Sequence, residues 1–168
     1  MGKISSFPRI LFISLTIAFT AGGGLVACSG SDESNVDEAP VASATSLARS
    51  VEAVGAEGRA LGLTRVEIPA GAEIPPHFHE GTQLAYIEAG TLTYTVETGK
   101  VTVMTGPSDD AKVVRDITAG QTAEIEAGQW IAEQPDEQHQ ARNDGDEGVL
   151  IYLSNLIKED AEASTPVP

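Results

Sequence analysis

Between Gly58 and Ile157 the chain is cut into short runs by glycine turns, and that punctuation confines it to an all-β fold. Nine runs are visible: Ala60–Ile68, Gln83–Glu88, Thr91–Glu97, Val101–Thr105, Lys112–Ile117, Thr122–Glu126, Trp130–Glu133, Gln138–Asn143 and Val149–Leu156. They are rich in Val, Ile, Thr, Tyr or Leu, side chains that suit a pleated, half-buried surface. Turn residues separate them, among them Ala89-Gly90, Thr98-Gly99, Ala119-Gly120, Ala127-Gly128 and Asn143-Asp144-Gly145. Thr91–Val96 alternates strictly, as a strand with one buried face does. Many short strands with glycine turns indicate a sandwich or barrel rather than βαβ units. No phosphate-binding glycine loop, nucleophile elbow or CxxC motif is present.

The 168 residues suffice for one domain plus tails. Lys3 and Arg9 precede an apolar run, Ile10–Ala21, and Leu25-Val26-Ala27 brings small residues up to Cys28. This segment resembles a bacterial lipoprotein signal peptide, residues 1–27, with Cys28 as the lipidated first residue of the mature chain. The alternative is an uncleaved anchor: Ile10–Ala27 is 18 residues without charge, close to the roughly 20 that span a bilayer. Gly22-Gly23-Gly24 interrupts that run and disfavours a helix. Both readings place the domain outside the cytoplasm, lipid-anchored to a bacterial membrane in the first. Cys28 is the single cysteine, so no intrachain disulfide forms.

Residues 28–46 are rich in Ser, Asp, Glu, Ala and Pro and read as a flexible tether. The domain is expected over 47–157, opening with a short helix from Leu47, Val51 and Val54 at i, i+4 and i+7. Residues 158–168 are expected to be a disordered tail. Ten Lys and Arg against 25 Asp and Glu give a net charge of −15, which excludes a nucleic-acid partner because phosphates need a basic face. The acidity serves solubility.

The chain has three histidines. His77 and His79 are two apart, so in an extended strand both leave the same face, as two ligands of one metal do. His139 follows 60 residues after His79, and a third ligand so remote suits a barrel in which distant strands meet.

Two motifs carry a family resemblance. Gly71-x5-His77-x-His79-x3-Gln83-x6-Gly90 is similar to the first cupin motif, with Gln83 where that family has Glu. Gly128-x10-His139-x3-Asn143 is similar to the second, with Gln134 at the usual proline and Asp136 at the usual glycine. Asp tolerates left-handed backbone, so the second departure is mild.

The resemblance implies a single-domain jelly-roll β-barrel holding one divalent transition metal (Fe, Ni, Zn, Cu or Mn) on His77, His79 and His139, with Gln83 fourth. A neutral fourth ligand leaves the ion its full charge, which should favour Zn, Cu, Ni or Fe over Mn and welcome a small anionic ligand. Glu137, two residues before His139, is the candidate general base. The implied activity is a metal-dependent dioxygenase resembling the quercetin-cleaving cupins, acting on a small enolate. A non-catalytic cell-surface module that binds ligand or metal remains the alternative. Homodimers are common in the family and are expected here as well.

Overall fold

The computed structural model describes residues 39–51 and 53–167. The tether's first residues and Cys28 lie outside the described residues. Twelve strands form two antiparallel sheets, and among the described residues there is no helix. The strands are β1 (Ser43–Ser50), β2 (Arg59–Ile68), β3 (Glu73–Phe78), β4 (Gly81–Ala89), β5 (Thr91–Val96), β6 (Lys100–Thr105), β7 (Lys112–Thr118), β8 (Gln121–Glu126), β9 (Gln129–Glu133), β10 (His139–Arg142), β11 (Val149–Lys158) and β12 (Thr165–Pro166). The larger sheet runs β1-β2-β11-β4-β9-β6-β7 and the smaller β12-β3-β10-β5-β8. This is the cupin-type jelly roll.

The facing sheets enclose a core of Val66, Ile68, Ile87, Leu92, Tyr94, Val96, Val103, Ile125, Ile131 and Val149, each at most 5% exposed. At about 1.5–3 kcal/mol for each large apolar side chain withdrawn from water, this core is the main stabilising term. Strict alternation on β4 turns Gln83, Ala85 and Ile87 inward and Leu84 and Tyr86 outward. The outer face of the larger sheet therefore carries Leu61, Leu63, Leu84 and Tyr86, each 40–48% exposed.

Two stretches depart from expectation. Ser43–Ser50 is an edge strand paired with β2, so the last residues assigned to the tether lie in the sheet. The expected helix is absent: Leu47, Val51 and Val54 stay exposed, and its spacing finds no apolar partner. Backbone pairing along the free edge of β2 decides the conformation instead, and side-chain pattern does not report it. The C-terminal residues also have defined structure: Thr165 and Pro166 pair with Phe78 and His77, and the Val167 amide donates to the Pro76 carbonyl at 3.0 Å. Pro166 fits there because an outer strand needs no further amide donor.

Candidate metal centre

The three histidines converge inside the barrel. His139 on β10 is the direct cross-strand partner of His77 on β3, and His79 follows just beyond β3. Ring centroids are 5.0 Å apart for His77 and His79, 4.4 Å for His77 and His139, and 5.1 Å for His79 and His139. One nitrogen from each ring lies within 4.8 Å of the others. Tyr94 stacks on His139 with centroids 5.3 Å apart and fixes that ring from the core side.

Backbone carbonyls set the tautomers. Nδ1–H of His77 donates to Pro75 at 2.8 Å, that of His79 to Ala163 at 2.7 Å, and that of His139 to Glu137 at 3.1 Å. Each imidazole thus keeps its Nε2 lone pair for the interior, which is how metal-bound histidines are oriented.

A further group, which the sequence reading missed, borders the cluster on the side of His79 and His139. Glu133 on β9 is 4% exposed and paired across the ladder with Gln83 on β4. Its carboxylate oxygens lie 3.4 Å from Nε2 of His79 and 3.4 Å from Nε2 of His139. Two donor atoms each about 2.0–2.2 Å from one ion in tetrahedral geometry stand roughly 3.4 Å apart. The separations observed are longer than a charge-assisted hydrogen bond and compatible with an ion shared by the carboxylate and these two imidazoles. Tyr94 Oη donates to Glu133 Oε1 at 2.9 Å and Gln83 Nε2 to Oε2 at 2.8 Å.

Burial alone would raise the Glu133 carboxyl, but the His139 and His79 imidazoles and the Gln83 amide hold it down at about 2. A buried carboxylate needs a cationic partner, which a protonated imidazole or a bound metal ion supplies, since buried charge is costly unless paired. The carboxyl is thus a charge partner of the imidazoles. The three oriented imidazoles, with a carboxylate beside two of them, fit a divalent transition metal.

Gln83 reaches the cluster with the same amide nitrogen. Its amide nitrogen faces Nε2 of His79 at 3.1 Å while donating to Glu133, so it positions the carboxylate instead of replacing it. The argument that set Mn aside rested on a neutral fourth ligand and falls away. Glu137 is not among the groups around the histidines: its carboxylate accepts from the Gln134 amide at 2.8 Å and caps the turn before β10. Asp136, in left-handed backbone at φ 66°, breaks the alternation that would have aimed Glu137 inward. Only the Glu137 carbonyl serves the site, through His139. Parity could have found Glu133, because it shares a strand face with Ile131.

Beside the cluster lies a cavity of about 240 Å³, walled by Ala85, Leu92, Ile131, Leu153 and others and bordered by Ala42–Ala44 and Ala163–Ser164. The tail is part of this arrangement, because the Ala163 carbonyl orients His79. Truncation after Glu159 should leave the core intact, since no tail residue belongs to it, and lower divalent-ion affinity about tenfold, as losing an outer-shell partner does. Calorimetric ion titration beside a thermal melt checks this; unchanged affinity would mean that the carbonyl does not orient the ligand.

Comparison with known proteins bears on the fold. Residues 64–108 match the family Cupin_2, the cupin domain. The fold is similar to a cupin 2 domain-containing protein from Halorhodospira halophila, with 12% identity, TM-score 0.50, and coverage of 80% of this chain and 76% of that one. A cupin superfamily protein from Desulfitobacterium hafniense gives 13% identity and TM-score 0.47 over 69% of this chain and 77% of its own. Oxalate decarboxylase from Bacillus subtilis, a protein with Mn(II) centers, gives 19% identity and TM-score 0.41 over 64% of this chain and 24% of its own. No curated protein matches the sequence. The family match and the shared fold support the cupin superfamily.

Proposed function

We propose that this protein is an exported cupin, lipid-anchored through Cys28, that holds one divalent transition metal on His77, His79, His139 and Glu133 and binds a small anionic ligand beside it. The observation that carries the reading is the buried carboxylate facing two imidazoles at 3.4 Å in the lining of a largely apolar cavity. With one carboxylate among its ligands a divalent ion keeps a net positive charge, which attracts an anion. The bound ion would act as a Lewis acid and an organising centre for an enolate and dioxygen. The protein's own part is to orient the ligand between Ile131, Leu92 and Leu153 and to exclude bulk water.

Dioxygenase chemistry on a small enolate is the activity that fits. The cavity, about 240 Å³, falls below the roughly 300–1,000 Å³ of pockets for drug-sized ligands, so diketones and small thiols suit it better than flavonols. The exposed Leu61, Leu63, Leu84 and Tyr86 supply the surface for a homodimer. Elemental analysis of protein purified without chelator should find one ion per chain, and oxygen uptake should rise with a diketone before a flavonol. Mass spectrometry of the mature N-terminus should find lipid on Cys28, absent in Cys28→Ser. Protein that takes up no ion even on reloading would refute the metal reading. Oxygen uptake absent across all substrates would leave the binding module.

A further inference from the structure

We infer that Asn155 is a second ligand anchor, making the ligand a small, mainly apolar oxo acid: an anionic oxygen at the metal end and a carbonyl-type oxygen at Asn155. The inference rests on the reading of the site proposed above.

The ladder aligns a polar row across the floor of the larger sheet. Gly62 on β2 pairs with Asn155 on β11, Asn155 with Gln83 on β4, and Gln83 with Glu133 on β9. The next inward row is Thr64, Leu153, Ala85 and Ile131, so polarity is confined to one line within an apolar chamber. Glu133 and Gln83 are explained by the histidine cluster; Asn155 is not.

Asn155 is 6% exposed and lines the cavity, yet its carboxamide makes no hydrogen bond among the described residues. Polar side-chain atoms sealed off from the cavity and solvent all have partners, so the carboxamide must face the cavity. A cavity-facing amide without a protein partner is available to a ligand oxygen.

Gly62 shows that the place is built. A Cβ there would collide with Asn155 Oδ1, while Nδ2 stands 3.5 Å from it. Oδ1 therefore lies against the β2 wall and the amide N–H donors are left for the cavity. A donor selects an acceptor, hence a carbonyl or carboxylate oxygen. Directly paired residues have Cβ atoms about 5 Å apart, and neighbouring strands are about 4.8 Å apart. The anchor is one strand from Gln83 and two from Glu133, a span that three to five bonds of ligand cover.

The test uses Co(II)-loaded full chain and matched acids: 4-oxopentanoate, 5-oxohexanoate and 6-oxoheptanoate, against 4-methylpentanoate, 5-methylhexanoate and 6-methylheptanoate. Cobalt stoichiometry is read first from its visible band, which tests the metal reading alone. Calorimetry then compares each pair. The wild type should prefer one oxo acid about tenfold, the effect of one hydrogen bond to a buried donor. Asn155→Leu should abolish that preference while cobalt uptake and affinity for the methyl acid stay unchanged. Gly62→Ala, which displaces the carboxamide without removing it, should lower the preference too and serves if Asn155→Leu does not fold. No oxo preference in any wild-type pair, or a preference that survives Asn155→Leu, overturns the proposal. Should cobalt not bind, the same pairs are titrated into the metal-free protein, where absence of an oxo preference likewise overturns it.

Discussion

Exchanging Gln83 and Glu133 for one another is expected to restore most of the ion affinity that Glu133→Gln removes. Glu133→Gln keeps shape but deletes the buried charge, and Gln83 loses the carboxylate it now donates to at 2.8 Å. Two unit charges about 4 Å apart at an effective dielectric near 20 attract by about 4 kcal/mol. After allowing for the carboxylate's own desolvation, a loss of about 100-fold in affinity follows. Gln83→Leu, which removes only a hydrogen-bond donor, should cost about tenfold. Gln83→Glu alone sets two carboxylates against each other, so the metal-free protein should melt lower and gain more than wild type from added ion. In the double exchange the carboxylate moves one strand along the same ladder, from β9 to β4, with the amide opposite it. Its affinity should return to within about tenfold of wild type. Calorimetric titration with Co(II) or Ni(II) on wild type and the four variants measures this. Equal affinity for Glu133→Gln and wild type would show that the carboxylate serves only as counter-charge to His79.

The architecture was legible because its signals are local. Each of the nine runs overlaps an observed strand, since inward Val and Ile alternate with outward Thr, Glu and Arg between glycine turns. The His77, His79 and His139 cluster followed from motif spacing, and Asp136 takes the left-handed turn foreseen for it. Tyr86 faces outward, as its parity against Gln83 required. What was not legible depends on register. Glu133 meets Gln83 only because β4 and β9 pair with that alignment, and Asn155 joins the row by the same ladder. β1 and β12 are held by backbone pairing at sheet edges, where composition resembles that of loops. Glu137 failed as an inward acid because one left-handed residue resets strand alternation.

Acid should unfold the metal-free protein in two stages, and the cluster dictates their order. Burial lowers His139 from 6.5 to about 4 and also lowers His77; burial opposes a charge on His79 too, but the Glu133 hydrogen bond and charge raise it overall. Below pH 6.5 the unfolded chain protonates all three imidazoles, whereas the folded cluster readily accepts a proton only on His79. The unfolded state thus binds more protons, and stability falls as pH falls. For His139, folded value below unfolded value, the contribution is complete above 6.5 and is lost on descending to about 4, an effect of about 3 kcal/mol. His79 runs the other way: its contribution is complete below 6.5 and is lost as pH rises through its raised folded value, so it acts on the alkaline side of the first stage. Glu133 then contributes above 4.5 and is lost on descending to about 2, again about 3 kcal/mol. The groups titrate together, so the stages belong to the cluster and their sizes do not simply add. Melting in chelator-treated buffer should be highest near neutral pH, with a first decline of about 10 °C toward pH 4 and a second below it. His139→Leu should flatten the first stage and Glu133→Gln the second. Loading with Co(II) should raise that maximum and steepen the first stage, because protons and the ion compete for the same imidazoles. A melting temperature constant from pH 7 to 4.5 in the metal-free protein would mean that the three imidazoles are solvated and the cluster is not the buried site described.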